Sequence, residues 1–224
     1  MLEKPNGTLC ARHSTSSVSA PGSKVSPERE VGGRVSGVRV ITVDGALDQA
    51  ERLWVNALTP VTPEELLKPS GCDGWTIADL VNHVAGGGHR YAMLLCGAVA
   101  ASTASTRDND YIAADALAEF WRYERMFRDS AAVADLSAIV DHRAGPRPGS
   151  VLLTMRVMEL AVHAKDLCDA RQTRWQPSDA LVSYLLAEAA PTIDELREKG
   201  LFAAAGTARS SAPIDRLLAL AGRR

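Results

Sequence analysis

"VLLTMRVMELAVHAKDLCDA", residues 151–170, reads as a helix that is apolar almost all round yet carries Arg156, Glu159, His163 and Asp166. At 100° per residue, with Glu159 set at zero, His163 falls at about 40°, Asp166 at about −20° and Arg156 at about 60°. The four share one stripe. Their neighbours are too apolar for a solvated face, so the stripe points inward and needs partners on other elements.

Those elements also read as helices. "DGALDQAERLWVNALTPV", residues 44–61, repeats Leu47, Ala50, Leu53/Trp54 and Ala57/Leu58 at three- and four-residue intervals. The next helix has the clearest start in the chain: Thr76 and Asp79 form a T-x-x-D capping box and Trp75 is placed to pack on Leu80. It is expected from Ile77 to about Ala100. Gly86, Gly87 and Gly88 fall inside it, each costing roughly 0.5–1 kcal/mol against Ala, which a close approach of a helix or a ligand would justify. After the polar loop "STASTRDND", the segment "YIAADALAEFWRYERMFRDS", residues 111–130, gives a third helix. The fourth, residues 150–172, takes Ser150 as its N-cap. Beyond it, "SDALVSYLLAEAAPTIDELREKG" reads as a helix stopped by Pro191 and a short helix closed by Gly200, and "PIDRLLALAGRR" as a last amphipathic helix. No strand and no internal repeat stands out. The expected fold is all-α: a four-helix bundle with additional short C-terminal helices.

Residues 1–38, rich in Ser, Gly, Pro and Val without periodicity, read as a disordered or extended tail or as a start codon placed too far upstream; the bundle domain is 39–224. A 224-residue chain, 46% hydrophobic, 23% charged and with a formal charge of −2, offers no basic surface for nucleic acid. Its longest apolar run, Tyr91–Ala101, is shorter than the ~18 residues of a spanning helix. Without a secretory signal pattern the chain is expected to be cytoplasmic. Cys10, Cys72, Cys96 and Cys168 form no CxxC, so neither a disulfide framework nor a thiolate zinc knuckle is indicated and reduced thiols are the default.

Glu159-x-x-x-His163 sets a carboxylate and an imidazole one turn apart, where both can reach one divalent ion. A third donor is needed. His83, on the side of its helix that carries Leu80, Val84 and Gly87, is the candidate, with Asp166 or Arg156 as supporting groups. Purely local pairing, Glu159 with Arg156 and His163 with Asp166, accounts for the same spacing. His89 lies about 120° from His83 around the helix; His142 falls in a loop and His13 in the tail. Cys168 and the tryptophans Trp54, Trp75 and Trp121 read as core. Dinucleotide-binding, P-loop and nucleophile-elbow motifs are absent.

"CDGWTIADLVNHVAGG", then "VMELAVHAKDLCDA" some 75 residues later and "DRLLALAGR" near the end, resemble the DinB/YfiT-like superfamily. The likeness is to its actinobacterial branch, which includes the N-terminal domain of mycothiol-dependent maleylpyruvate isomerase. It covers roughly residues 42–222. The resemblance implies a four-helix bundle and a divalent ion, usually zinc, held by His83, Glu159 and His163. It also implies a low-molecular-weight thiol such as mycothiol as cosubstrate and an electrophile as the second partner, in an isomerase or an S-transferase. Arg156 is the candidate to bind a substrate carboxylate. Two other readings use the same bundle: a metal- or small-molecule-binding module without turnover, such as a homodimeric scaffold, and a metal-dependent hydrolase with Asp166 or Asp79 as base.

Overall fold

Thr42 opens the first helix, α1 (Val43–Leu58), its hydroxyl accepting from the Gly45 N–H at 3.2 Å. The computed structural model describes residues 41–112 and 115–224; the expected tail and His13 lie outside the described residues. The capping box at Thr76 and Asp79 forms as read and starts α2 (Ile77–Leu95). That helix stops at Leu95 rather than near Ala100, because Gly97 turns the chain at φ +89°, and a five-residue helix, α3 (Ala100–Ala104), follows. Asp115 caps α4 (Ala116–Val133) through the N–H groups of Leu117 and Ala118.

A two-residue antiparallel ladder, which the sequence reading did not contain, pairs β1 (Ile139–Val140) with β2 (Arg147–Pro148). It delivers the chain into α5 (Gly149–Ala170), whose cap is Pro148 and not Ser150. Pro191 does not end a helix either. α6 (Asp179–Tyr184) passes through a π-helical turn, Leu185–Ala189, straight into α7 (Ala190–Glu198), and Pro191 sits in the first turn of α7, where a missing N–H leaves nothing unsatisfied. The last helix is α8 (Pro213–Leu220).

α1, α2, α4 and α5 form the bundle. Gly88 lies against Tyr123 and Tyr91 against Phe127, so α2 and α4 run in the same direction. Val84 meets Arg156 and Leu95 meets Gly149, so α2 and α5 are antiparallel. Trp54 packs on Phe120 while Glu51 and Asp48 hold Arg128, making α1 antiparallel to α4 and therefore parallel to α5. Two parallel neighbours cannot be joined by a tight turn, and residues 96–115, with α3 inside them, are the crossover this arrangement requires. At Gly88 the α2 and α4 backbones approach so closely that a Cβ would stand 3.0 Å from the Tyr123 carbonyl oxygen.

α5 is the central rod. Leu152, Val157, Leu160, Ala161, Ala164 and Leu167, spread round its whole circumference, are fully buried. Arg156 and Asp166 are buried with them, so both charges must be matched inside the protein. No described helix is long and apolar enough to cross a membrane.

Candidate metal centre

α2 and α5 lie side by side and bring His83 onto the α5 stripe. The His83 Nε2 is 3.2 Å from the Glu159 Oε1, and the His83 and His163 rings meet edge to face with centroids 5.2 Å apart. Gly87, one turn after His83, makes room for this: a Cβ there would be 2.7 Å from both the Glu159 Oε2 and the Arg156 Nη1. Trp75, just ahead of α2, covers both imidazoles with ring centroids 4.9 Å from His83 and 6.5 Å from His163.

Each polar group is held from behind. Arg156 donates from Nη1 to the Glu159 Oε2 at 2.8 Å and to the Val84 carbonyl at 2.9 Å, and from Nε to the Glu124 Oε2 at 2.9 Å. His163 Nδ1 is 2.9 Å from the Asp166 Oδ2, and Arg223, arriving from the C-terminus, grips both oxygens of Asp166 at 2.9 and 2.8 Å. With its Nδ1 proton directed to a carboxylate, His163 keeps the Nε2 lone pair free, the usual arrangement behind a metal-ligating imidazole. The Cys72 thiol donates to the Asp166 Oδ2 at 3.2 Å and stands 3.9 Å from the His163 Nδ1.

The charge states follow from this packing. Burial holds the His83 imidazole below its ordinary range, so it is neutral, against the opposing pull of Glu159. Burial also works against ionised Glu159, but contact with His83 and the Arg156 charge win and keep its carboxyl well below the usual range. Asp166 is lowered likewise, Arg223 and His163 overcoming its burial. The Cys72 thiol is pushed up to about 12 by burial and by the Asp166 charge, so it stays protonated.

Two donor groupings share His163. Cys72, His163 and Asp166 offer donor atoms that all lie within 4.8 Å of one another, a spacing able to hold a metal ion. His83, Glu159 and His163 offer two imidazoles and a carboxylate, the donor composition of many catalytic zinc sites, but their donor atoms do not all come within that distance of one another. Both groupings line a cavity of about 690 Å³.

The two expected local pairs, Arg156–Glu159 and His163–Asp166, are present together with the approach of His83. Arg156, expected to take a substrate carboxylate, is fully buried and spent on Glu124, Glu159 and a backbone carbonyl; it positions Glu159 instead. Neither base suggested for a hydrolase is free for that work, since Asp79 is committed to its own cap and Asp166 is clamped by Arg223. His89 pairs with the Tyr111 hydroxyl at 2.9 Å, away from the centre. Trp75, read as core, belongs to the site. Sequence reasoning assigned no role to Cys72 or Arg223, although both sit inside quoted motifs, "CDGW" and "LAGR".

The model of the mycothiol maleylpyruvate isomerase N-terminal domain matches residues 47–168, just over half of the chain and all but the last two residues of the stretch from α2 to α5. This protein belongs to that family of helical, DinB-like domains. Among solved structures it is similar to a mycothiol-dependent maleylpyruvate isomerase, with a TM-score of 0.53 and 19% identity over 73% of this chain and 75% of that one. A mutant of that enzyme gives 0.52 and 17%. Two curated relatives, the uncharacterized proteins MT0763 and Rv0738 from two strains of Mycobacterium tuberculosis, are each 31% identical over 127 residues, 56% of this chain. The match spans 65% of the length of those relatives.

Proposed function

We propose that the chain is a zinc-dependent enzyme that joins a small-molecule thiol, mycothiol by family, to an electrophile, as an isomerase or an S-transferase. His83, Glu159 and His163 are the metal ligands in this reading. The observation that carries it is the meeting of two imidazoles and one ionised carboxylate at the wall of a cavity large enough for two small molecules. Zinc held there would deprotonate a thiol that is otherwise mostly protonated at neutral pH and keep its sulfur in place.

The surrounding residues prepare that chemistry. Arg156 fixes the Glu159 carboxylate, and Asp166 with Arg223 sets the His163 tautomer, so two of the three donors are oriented before anything binds. Trp75 keeps water from the outer faces of the imidazoles. In the alternative grouping, Asp166 would have to give up Arg223 and Cys72 would have to lose a proton held more tightly than usual, which favours the first set.

Two measurements test this. Protein carrying one equivalent of cobalt should develop a thiolate-to-metal absorption band on adding mycothiol, and the zinc form should turn over maleylpyruvate or another activated alkene only with the thiol present. Neither band nor turnover would leave a metal-binding module without thiol chemistry. His83→Ala should abolish stoichiometric zinc binding while Cys72→Ser keeps it; the reverse pattern assigns the ion to Cys72, His163 and Asp166.

A further inference from the structure

The cavity that holds the metal centre is also lined by three arginines, and none of them has a carboxylate partner among the described residues. Arg90 comes from α2, Arg107 from the stretch after α3, and Arg143 from the turn between β1 and β2. Elsewhere the protein treats its buried or half-buried arginines differently: Arg128, Arg147, Arg156, Arg171 and Arg223 each sit on a carboxylate. Arg90 is nine-tenths buried, yet its guanidinium makes a single hydrogen bond, from Nη2 to the His83 carbonyl at 3.0 Å. A cation that deeply placed without a counter-charge is costly unless an anion visits it.

A second, separate observation points the same way. Tyr91 lines the cavity and is as buried as Arg90, and its hydroxyl has no hydrogen-bond partner among the described residues. The three cations also crowd one another. Partial burial, then the charges of Arg143 and Arg90, pull the Arg107 guanidinium below its ordinary range. Glu159 opposes that repulsion only as a lesser influence, whereas an oxyanion would accept from all three and from the tyrosine.

We propose that Arg90, Arg107, Arg143 and the Tyr91 hydroxyl form an oxyanion subsite that anchors the charged end of the second substrate, through a carboxylate or a phosphate group. The scale of the cavity restricts the ligand further. His142, next to Arg143, packs its ring 6.2 Å from that of Tyr91, which is eight residues past His83 and so about 12 Å along the helix axis. A molecule that reaches both the arginines and the metal centre carries its anionic group and its reacting carbon at different ends. This deepens the thiol-transfer reading by naming a substrate class, and rests on that reading only for the role of the far end; anion binding itself does not depend on it.

The test is isothermal titration of the full chain, zinc-free and zinc-loaded, with inorganic phosphate and with glutarate at low ionic strength, where surface screening is least. At least one anion should bind in both forms, and R107Q/R143Q, two changes at exposed positions, should weaken it roughly ten-fold without altering zinc stoichiometry. Preference for phosphate or for glutarate decides which group the substrate carries. Failure of both anions to bind, or equal binding by the double variant, overturns the subsite. No thiol is present in the titration, so the two readings fail separately: anion binding without thiol-dependent turnover removes the proposed reaction and keeps the subsite, and turnover without anion binding does the opposite.

Discussion

Replacing Gly87 with alanine tests the metal centre through a position that is not itself a ligand. The added Cβ would lie 2.7 Å from both the Arg156 Nη1 and the Glu159 Oε2, about 0.7 Å inside the 3.4 Å at which ordinary contact begins. Arg156 has nowhere to go, because its other nitrogens are bound to Glu124 and its Nη1 also holds the Val84 carbonyl. Glu159 is the side that yields, and it moves away from His83. Overpacking of this kind costs roughly 1–3 kcal/mol, and the better helix propensity of alanine returns about 1 kcal/mol, so G87A should lose only about 0–2 kcal/mol and still fold. Zinc affinity, which depends on where the carboxylate sits, should fall roughly 10- to 100-fold. Competition against chelators of graded affinity reads the second effect, and thermal unfolding of the zinc-free protein reads the first. Wild-type zinc affinity in a correctly folded G87A would refute the placement of Glu159 in the coordinating set.

Glu124→Ala should destabilise the protein by about 3–5 kcal/mol in urea unfolding, because it leaves a fully buried guanidinium with one carboxylate instead of two; a loss below about 1 kcal/mol would contradict this account. Asp166→Asn should lower zinc affinity roughly ten-fold or more in the chelator competition while sparing the fold, since an amide makes His163 less basic than a carboxylate does, and unchanged affinity would show that Asp166 does not act through His163. His142 carries a pH signature. Burial, then the charges of Arg147, Arg143 and Arg107, against the opposing pull of Glu159, lower its imidazole to about 4 from an ordinary 6.5. Between these values the unfolded chain binds a proton that the folded protein refuses, so stability drops as pH falls below 6.5, by about 2 kcal/mol at pH 5. H142N retains an acceptor for the Ala144 N–H and should flatten that part of the pH–stability curve; an unchanged slope between pH 7 and 5 would count against it.

What the chain discloses by itself is whatever repeats within a turn or two of helix. The capping box at Thr76, the periodicity of α1 and α4, the apolar circumference of α5, and the stripe of Arg156, Glu159, His163 and Asp166 are consequences of 3.6-residue geometry, so they are readable in order along the sequence. From them came the bundle and one half of the centre. Periodicity names a face and not the face opposite it. That α2 packs antiparallel on α5 while running parallel to α4, and so places His83 beside Glu159, depends on contacts across more than seventy residues that no local pattern encodes. The same holds for Arg223, which reaches Asp166 from fifty-seven residues away, and for the Cys72 loop. Arg156 shows the difference most plainly: its position on the stripe was legible, but whether its charge would meet a substrate or be consumed inside the protein was decided by Glu124, delivered from another helix. Pro191 was misread for a related reason, since a π-helical turn set by packing absorbed a break that propensity alone predicts. Burial creates the demand for partners, and only the tertiary arrangement determines which partner answers it.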